Sequence, residues 1–349
     1  MQKFLNIAIP TYNRASRLAK TLEETILEIR ASQAEAKVGI FVVDNASSDE
    51  TPTVLEKYSR RAKSEGINLV HFRQTTNVGA GLNFIDCALM SDSLYIAYLS
   101  DDDNLFKGAI SALLKKLERY RPNVAICNFD QQPWGVNNPL YKKDLFFESI
   151  GEVYPLQPQV KFYKLSGIVL KVQPKDEIRI LRKQERINSF GHILLSVILG
   201  KSRGKILLSE AFFAYPDEDY LNHVNFAPYV SEIMLYELTL LVKSGLVTYE
   251  DALFLGSKIP RQSVVSRSIH RLYEYYAGKF FLTLSMKKQL WINIKNAVVY
   301  RRNISNQGLS LFVSPKDYLR LFRLFMVMLK FSVLKLLLKK RDNIKAEGF

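Results

Sequence analysis

The sequence predicts an α/β fold, a mostly parallel sheet flanked by helices, followed by a helical C-terminal region. Short apolar runs alternate with segments of helical period over the first 130 residues. The first four runs each stop at a polar loop rich in Asn, Asp, Ser or Gly, and from about Asn225 the pattern turns helical. With 349 residues and 48% hydrophobic content, the chain can bury a large core.

Asn6-Ile7-Ala8-Ile9 reads as the first strand and ends at Pro10-Thr11-Tyr12-Asn13-Arg14; Leu18, Leu22, Ile26 and Ile29 then recur at helical spacing. Val38 to Val43 is a second strand, stopping at Asp44-Asn45-Ala46-Ser47-Ser48-Asp49, and Thr51 to Lys63 suits a helix with Pro52 in its first turn. Leu69 to Phe72 is a third strand. Asn77-Val78-Gly79-Ala80-Gly81-Leu82-Asn83 is a loop opening the next helix, where Gly79 and Gly81 either let backbone approach a ligand or form a simple turn. Leu94 to Leu99 is a fourth strand. After Asn104 a helix carries Ala109, Leu113, Leu114 and Leu117, and Val124 to Cys127 is a further strand.

Residues 131–165, with four prolines, Trp134 and several Tyr and Phe, read as extended and loop-like, suited to stacking on a sugar ring or to covering the sheet edge. Ser166 to Leu170 is a late strand and Ser189 to Leu199 an apolar helix bearing His192. Helices are expected at Tyr229 to Lys243, Tyr249 to Ser257 and Lys287 to Tyr300. The chain thus divides into a nucleotide-binding catalytic domain at 1–222, a helical domain at 223–310 and a basic amphipathic tail at 311–349.

Asp101-Asp102-Asp103, directly after the fourth strand, carries the most chemistry. Carboxylates this close raise one another's pKa unless a cation offsets them, and hard oxygen ligands suit Mg²⁺ or Mn²⁺. An acidic turn or helix cap accommodates the same residues. In an open parallel sheet the carboxyl ends of the strands line one edge, where ligands bind.

Cys87 and Cys127 are the only cysteines and the four histidines are scattered, so neither a disulfide framework nor a zinc site is indicated. A reducing compartment fits, and the N-terminal residues lack the pattern of a secretion signal. The net charge of +15 is uneven: residues 256–349 hold 19 Lys/Arg and 4 Asp/Glu, whereas residues 1–255 hold 30 of each. Such a segment seeks an anionic surface, a membrane leaflet or a nucleic acid.

Four stretches together resemble the family-2 inverting glycosyltransferases of the GT-A fold. They are Ile7 to Arg14, Val42 to Asp49, Asn77-Val78-Gly79, and Tyr98-Leu99-Ser100-Asp101-Asp102-Asp103, in the family's order. The short members that build O-antigen and capsule, the abequosyltransferase-like proteins, look most similar. The resemblance implies that Pro10, Thr11, Tyr12 and Arg14 cradle the nucleotide, joined by Asn77 and Gly79, with Asp44 or Asn45 reading the base edge. It also implies that Asp101, Asp102 and Asp103 hold the donor diphosphate through Mn²⁺ or Mg²⁺, Asp102 and Asp103 as the metal ligands. Ser100 stands where many relatives have the first Asp.

The reaction so implied needs the departing diphosphate stabilised and an acceptor hydroxyl deprotonated. Many relatives place an acidic base at the start of the helix after the late strand; this chain reads Asn188-Ser189-Phe190-Gly191-His192 there. His192 is the leading substitute, with Asp103 also in a catalytic role, because imidazole titrates near neutrality. A core or capping histidine is the competing reading, and Glu185, Asp217, Glu218 and Asp219 are reserve bases.

In the tail, Lys316, Arg320, Arg323, Lys330, Lys335 and Lys339 share one half of a helical wheel and Phe322, Phe325, Met326, Leu329, Val333, Leu336 and Leu337 the other. That pattern suits a helix lying in a membrane interface, too often interrupted by cations to span it; packing on the protein's own core is the alternative. The expectation is a metal-dependent glycosyltransferase on the inner face of the cell membrane, taking a nucleotide sugar to a lipid-linked or polysaccharide acceptor, oligomer possible. A sugar-nucleotide nucleotidyltransferase is a rival that needs a glycine-rich phosphate loop after the first strand, which Pro10-Thr11-Tyr12-Asn13 does not supply. A nucleic-acid binder using the basic quarter is another; its cations alternate with long aliphatic runs, which a phosphate backbone does not reward, so no nucleic acid is expected as partner.

Overall fold

Strands buried on both faces need near-continuous apolar sequence, and this chain supplies it three times in its first hundred residues, at Leu5–Thr11, Val38–Asp44 and Tyr95–Tyr98. The computed structural model describes residues 3–129, 141–153, 165–184, 187, 191–216 and 245, all within one compact unit. The strands are β1 (Leu5–Thr11), β2 (Val38–Asp44), β3 (Asn68–Arg73), β4 (Tyr95–Tyr98), β5 (Asp103–Leu105), β6 (Val124–Phe129), β7 (Leu145–Phe147), β8 (Ile168–Lys171) and β9 (Ile206–Pro216). The helices are α1 (Ala15–Ala31), α2 (Thr51–Ser64), α3 (Ala80–Met90), α4 (Ala109–Tyr120), α5 (Ile150–Val153), α6 (Asp176–Arg182) and α7 (Gly191–Arg203). The expected helices from Tyr229 onward, the basic tail, the two boundaries at 222 and 310, and Glu185, Asp217, Glu218 and Asp219 lie outside the described residues.

The sheet runs β3-β2-β1-β4-β8-β6-β9-β5, with β7 on β9. Its first four strands are parallel, and β8 enters antiparallel between β4 and β6. Alternate residues of the parallel strands enter one large core, Leu5, Ile7 and Ile9 on β1 and Val38, Ile40 and Val42 on β2. Leu18, Leu22, Ile26 and Ile29 of α1, spaced three and four apart, and Leu113 and Leu117 of α4 close it from one side. On the other side α3 packs on β1 and β2, and α6 and α7 pack on α3. The result is a helix–sheet–helix sandwich.

Helix α1 connects β1 to β2 on one face, while α3 leads from β3 back to β4 on the other. The chain reverses its direction of travel across the sheet between β1 and β4, so a crevice opens there at the carboxyl ends. Parallel register brings Thr11 level with Asp44 and Ala8 level with Tyr98. The three aspartates begin at Asp101, after Leu99 and Ser100.

Several elements differ from the expectation. The segment from Ala80 belongs to α3, and its first turn packs against α7: a Cβ on Gly191 would stand 2.0 Å from the Gly81 carbonyl oxygen, so glycine at 191 lets the two helix starts approach. Replacing Gly191 with Ala is expected to destabilise the fold by about 2 kcal/mol through overpacking, read as a lower urea midpoint. Asp103–Leu105 is a short strand on β9, before the helix that was expected from Asn104. Within 131–165 the described part contains β7 and α5, and both α6 and the eleven-residue β9 escaped the sequence pattern.

Candidate active site

Thr11 at the end of β1 donates its hydroxyl to Asp101 Oδ2 at 2.7 Å, across the gap between β1 and the β4 loop. Arg14, three residues on, spreads over the same loop: Nη1 donates to Asp101 Oδ1 at 2.9 Å and to Asp102 Oδ2 at 2.6 Å. Arg17 Nη1 lies 3.5 Å from that Asp102 oxygen. Thr21, a turn further along α1, donates to the Asp101 carbonyl at 3.0 Å. One face of the α1 start is therefore built against the acidic loop.

The three carboxylates are not equivalent. Asp101 turns inward, its side chain 5% exposed and each oxygen engaged. Burial pushes its carboxyl up to about 6; Arg14 opposes the rise and Asp102 adds to it. Asp102 is the outward one, 23% exposed, with Oδ1 accepting from the Ser100 hydroxyl at 2.6 Å. Asp103 is buried, fixed by β5–β9 pairing, and accepts from the Ser166 hydroxyl at 2.6 Å; the Ser100 amide donates to the same Ser166 oxygen. Burial would lower the Arg14 pKa, but Asp101 and Asp102 overcome it and hold the guanidinium above its ordinary range.

The ends of β2 and β3 form the neighbouring wall. Asp44 is fully buried, and its Oδ1 accepts from the Ser47 amide at 3.0 Å. Its Oδ2 has no hydrogen-bond partner; Arg73 Nε, at the end of β3, stands 3.4 Å away as an ion pair. A buried carboxylate oxygen without a donor is costly unless a ligand supplies one. Asn45 is otherwise employed: its Nδ2 donates to Asn77 Oδ1 and its Oδ1 accepts from the Val78 amide, both at 2.9 Å. Asn77 Oδ1 also accepts from the Gly79 amide. Gly79, at φ 87° and ψ 155°, is in a conformation that side chains resist, and it starts α3. Between the base-reading candidates Asp44 and Asn45, the one with an open acceptor is Asp44. Pro10 lies within β1, Arg14 next to α1, and Tyr12 between them is 43% exposed, its ring turned to solvent.

His192 sits in the first turn of α7, 3% exposed, with its ring edge-on to Phe84 at 5.0 Å and to Tyr98 at 6.4 Å. That is the setting of a packed histidine.

Asp49 is a residue the sequence reading passed over. Neither α1 nor α2 is capped by its own N-terminal side chain. Asp49 caps both, accepting from the Ala15 amide and the Thr51 amide at 3.0 Å each. Burial would raise its pKa, yet the hydrogen bonds from Thr51 and Ala15 prevail and hold it below the ordinary range. Asn13, at φ 52°, completes the clasp: its amide donates to Ser47 Oγ and its Oδ1 accepts from the Ser48 amide. Asp49→Ala is expected to cost about 1 kcal/mol, seen as a lower melting temperature, with the loss shrinking as pH falls and the wild-type carboxylate protonates.

Among the described residues no three His, Cys, Asp or Glu side chains close on one point as a metal cage. Mg²⁺ and Mn²⁺ at phosphate sites need less, one or two carboxylates with phosphate and water supplying the rest. Asp102 meets that need, being partly exposed with acceptor capacity left on Oδ1 beside its bond from Ser100, and Asp103 is the adjacent hard donor. The residues present therefore fit such a cation, whereas Asp101, with both oxygens engaged inside, does not contribute.

A mostly parallel central sheet flanked by helices matches the fold of the GT-A glycosyltransferases among solved structures. Residues 6–172, just under half of the chain, match the family described as Glycosyl transferase family 2, and the chain is a glycosyltransferase. Among solved structures, the S. aureus TarS 1–349 fragment in complex with UDP-GlcNAc is similar at 16% identity and TM-score 0.54, covering 86% of this chain and 81% of that one. Full-length S. aureus TarS aligns at 18% identity and TM-score 0.52, with 84% of this chain covered and 48% of that one. The mannosyltransferase PcManGT from Pyrobaculum calidifontis, in complex with GDP-Man and Mn²⁺, aligns at 11% identity and TM-score 0.50, covering 96% and 88%. At these identities the likeness is one of fold. No curated protein matches the sequence.

Proposed function

We propose that this enzyme is a metal-dependent inverting glycosyltransferase that moves a sugar from a nucleotide diphosphate to a hydroxyl of a lipid-linked or surface-polysaccharide acceptor. The observation that carries the reading is a buried Asp44 oxygen lacking a donor at the end of β2 and the Arg14-bridged aspartates after β4, at the carboxyl ends of the two strands that flank β1. A base with a ring N–H or amino group supplies what Asp44 Oδ2 lacks, so Asp44 anchors the nucleoside and Arg73 steadies it. Tyr12 flanks the same crevice from its exposed position between β1 and α1. Arg14 and Arg17 place two cations beside the acidic loop, within reach of a diphosphate held there, and their donors suit its oxygens. Asp102 and Asp103 would hold Mn²⁺ or Mg²⁺, which when bound stabilises negative charge on the departing diphosphate. The complexes of TarS with UDP-GlcNAc and of PcManGT with GDP-Man and Mn²⁺ support a donor and a cation of these kinds.

The base that takes the acceptor proton belongs to the set His192, Glu185, Asp217, Glu218 and Asp219. The burial of His192 against Phe84 and Tyr98 favours a carboxylate from the other four. The basic segment 311–349 docks the enzyme on the anionic inner face of the cell membrane, beside a lipid-linked acceptor.

The test is a panel of UDP-, GDP-, dTDP- and CDP-sugars with Mn²⁺, scored by melting temperature and by release of nucleoside diphosphate. One nucleotide class is expected to stabilise the protein by about 2–3 kcal/mol at a hundredfold excess over its dissociation constant. If no member of the panel stabilises it or is turned over, the reading fails.

A further inference from the structure

We infer that Arg14 is an internal counter-ion that holds Asp102 while the site is empty and yields it to a divalent cation when a nucleoside diphosphate arrives. The inference rests on the metal-assisted reading proposed above.

Arg14 bridges two unlike carboxylates. Its Nη1 is shared between buried Asp101 and partly exposed Asp102, the shorter bond going to the exposed partner. The backbone on either side of Arg14 is pinned, because Asn13 is bonded to Ser47 and Ser48 and the Ala15 amide to Asp49. Only the side chain can move, and it is 40% exposed. Asp101 is a fixed pivot, held by Thr11 through its side chain and by Thr21 through its carbonyl.

A divalent ion on Asp102 would stand beside a guanidinium nitrogen now 2.6 Å from that carboxylate. Two cations at such separation repel, so cation and Arg14 compete for Asp102. An incoming diphosphate offers Arg14 a better partner, a set of anionic oxygens matched to its fork of donors. Once Arg14 swings to it, Asp102 loses its 2.6 Å partner and keeps only the long 3.5 Å contact with Arg17, which leaves it open to the cation. Diphosphate and cation must then bind cooperatively, each tightening the other by the same factor.

The experiment is a titration of the full chain with Mn²⁺, free Mn²⁺ being read by electron paramagnetic resonance, alone and with saturating UDP, GDP, dTDP or CDP. Wild type is expected to bind Mn²⁺ weakly alone and about tenfold or more tightly with one of the nucleotides. In Arg14→Gln, Mn²⁺ alone is expected to bind about tenfold more tightly than in wild type, and most of the tightening by nucleotide disappears. Arg14→Lys, which keeps a cation beside Asp101 without the fork, provides the reading if the Gln variant does not fold, with a smaller gain of the same sign. If wild type shows the coupling and neither folded variant gains Mn²⁺ affinity, the role of Arg14 is refuted and the metal-assisted reading stands. If wild type takes up no Mn²⁺ with any of the four nucleotides, both fall.

Discussion

Asp102→Ala is expected to lower kcat about 10³-fold while leaving the fold nearly as stable as before. The carboxylate is the outward member of the acidic loop, and its partners are the Ser100 hydroxyl and two arginines that keep other or solvent contacts. Ion pairs of this exposure contribute at most about 1 kcal/mol, so the folding penalty is small. Arg14 stays paired with Asp101, and no buried charge is stranded. A loss of 10³ in rate corresponds to about 4 kcal/mol of transition-state stabilisation, more than any structural contribution available at this position. Asp102→Asn keeps an acceptor for Ser100 but not the charge, and is expected to fall nearly as far. The measurement is kcat with the donor found in the nucleotide-sugar panel, alongside a melting curve. Retention of more than about a tenth of the wild-type kcat would remove Asp102 from the chemistry, and a melting temperature lower by more than about 5 °C would make the loss structural.

What the sequence conveyed well is what depends on short-range pattern. β1, β2 and β4 and α1, α2 and α4 are legible because a strand buried on both faces needs an unbroken apolar run and a helix over it needs residues three and four apart, while the mostly exposed β3 shows only the short run Leu69 to Phe72. The polar loops at the strand ends, and hence the crevice, follow from the parallel order alone. The orientation of each aspartate is not legible. Asp101 is buried because Thr11 and Arg14, about ninety positions away, reach it; Asp102, its neighbour, shares the same Arg14 nitrogen but stays partly exposed. Nothing in the trio Asp-Asp-Asp distinguishes them. The same holds for β9, whose apolar run is broken by Ser209 and Glu210 and whose strand partners β5, β6 and β7 lie 60 to 110 positions back. Asp49 was legible as a turn residue, but its double capping role required knowing that two helices start side by side.

Asp101 makes a stability prediction with an unusual sign. A carboxylate whose pKa is raised in the folded state, here from 3.8 to about 6, binds its proton more tightly folded than unfolded. Its protonated form therefore favours the fold. The contribution is present in full below about pH 4 and is lost as pH rises to about 6 and beyond, amounting to about 3 kcal/mol at 1.36 kcal/mol per unit. The cause is physical: Asp101 is shut away from water, and a single shared arginine nitrogen and one threonine hydroxyl do not fully replace its hydration. Asp101→Asn imitates the protonated form, with Oδ1 able to accept from Arg14 and Nδ2 to donate to the Thr11 oxygen. Urea midpoints of the metal-free protein from pH 4 to pH 8 should thus fall less steeply, or rise, in the variant relative to wild type, and at pH 8 the variant should be at least as stable. If the two proteins keep parallel pH profiles, the ionised Asp101 is fully compensated by Arg14. The pairing would then be a source of stability, and the cost of burying that charge would not be what keeps the acidic loop ready for a further cation.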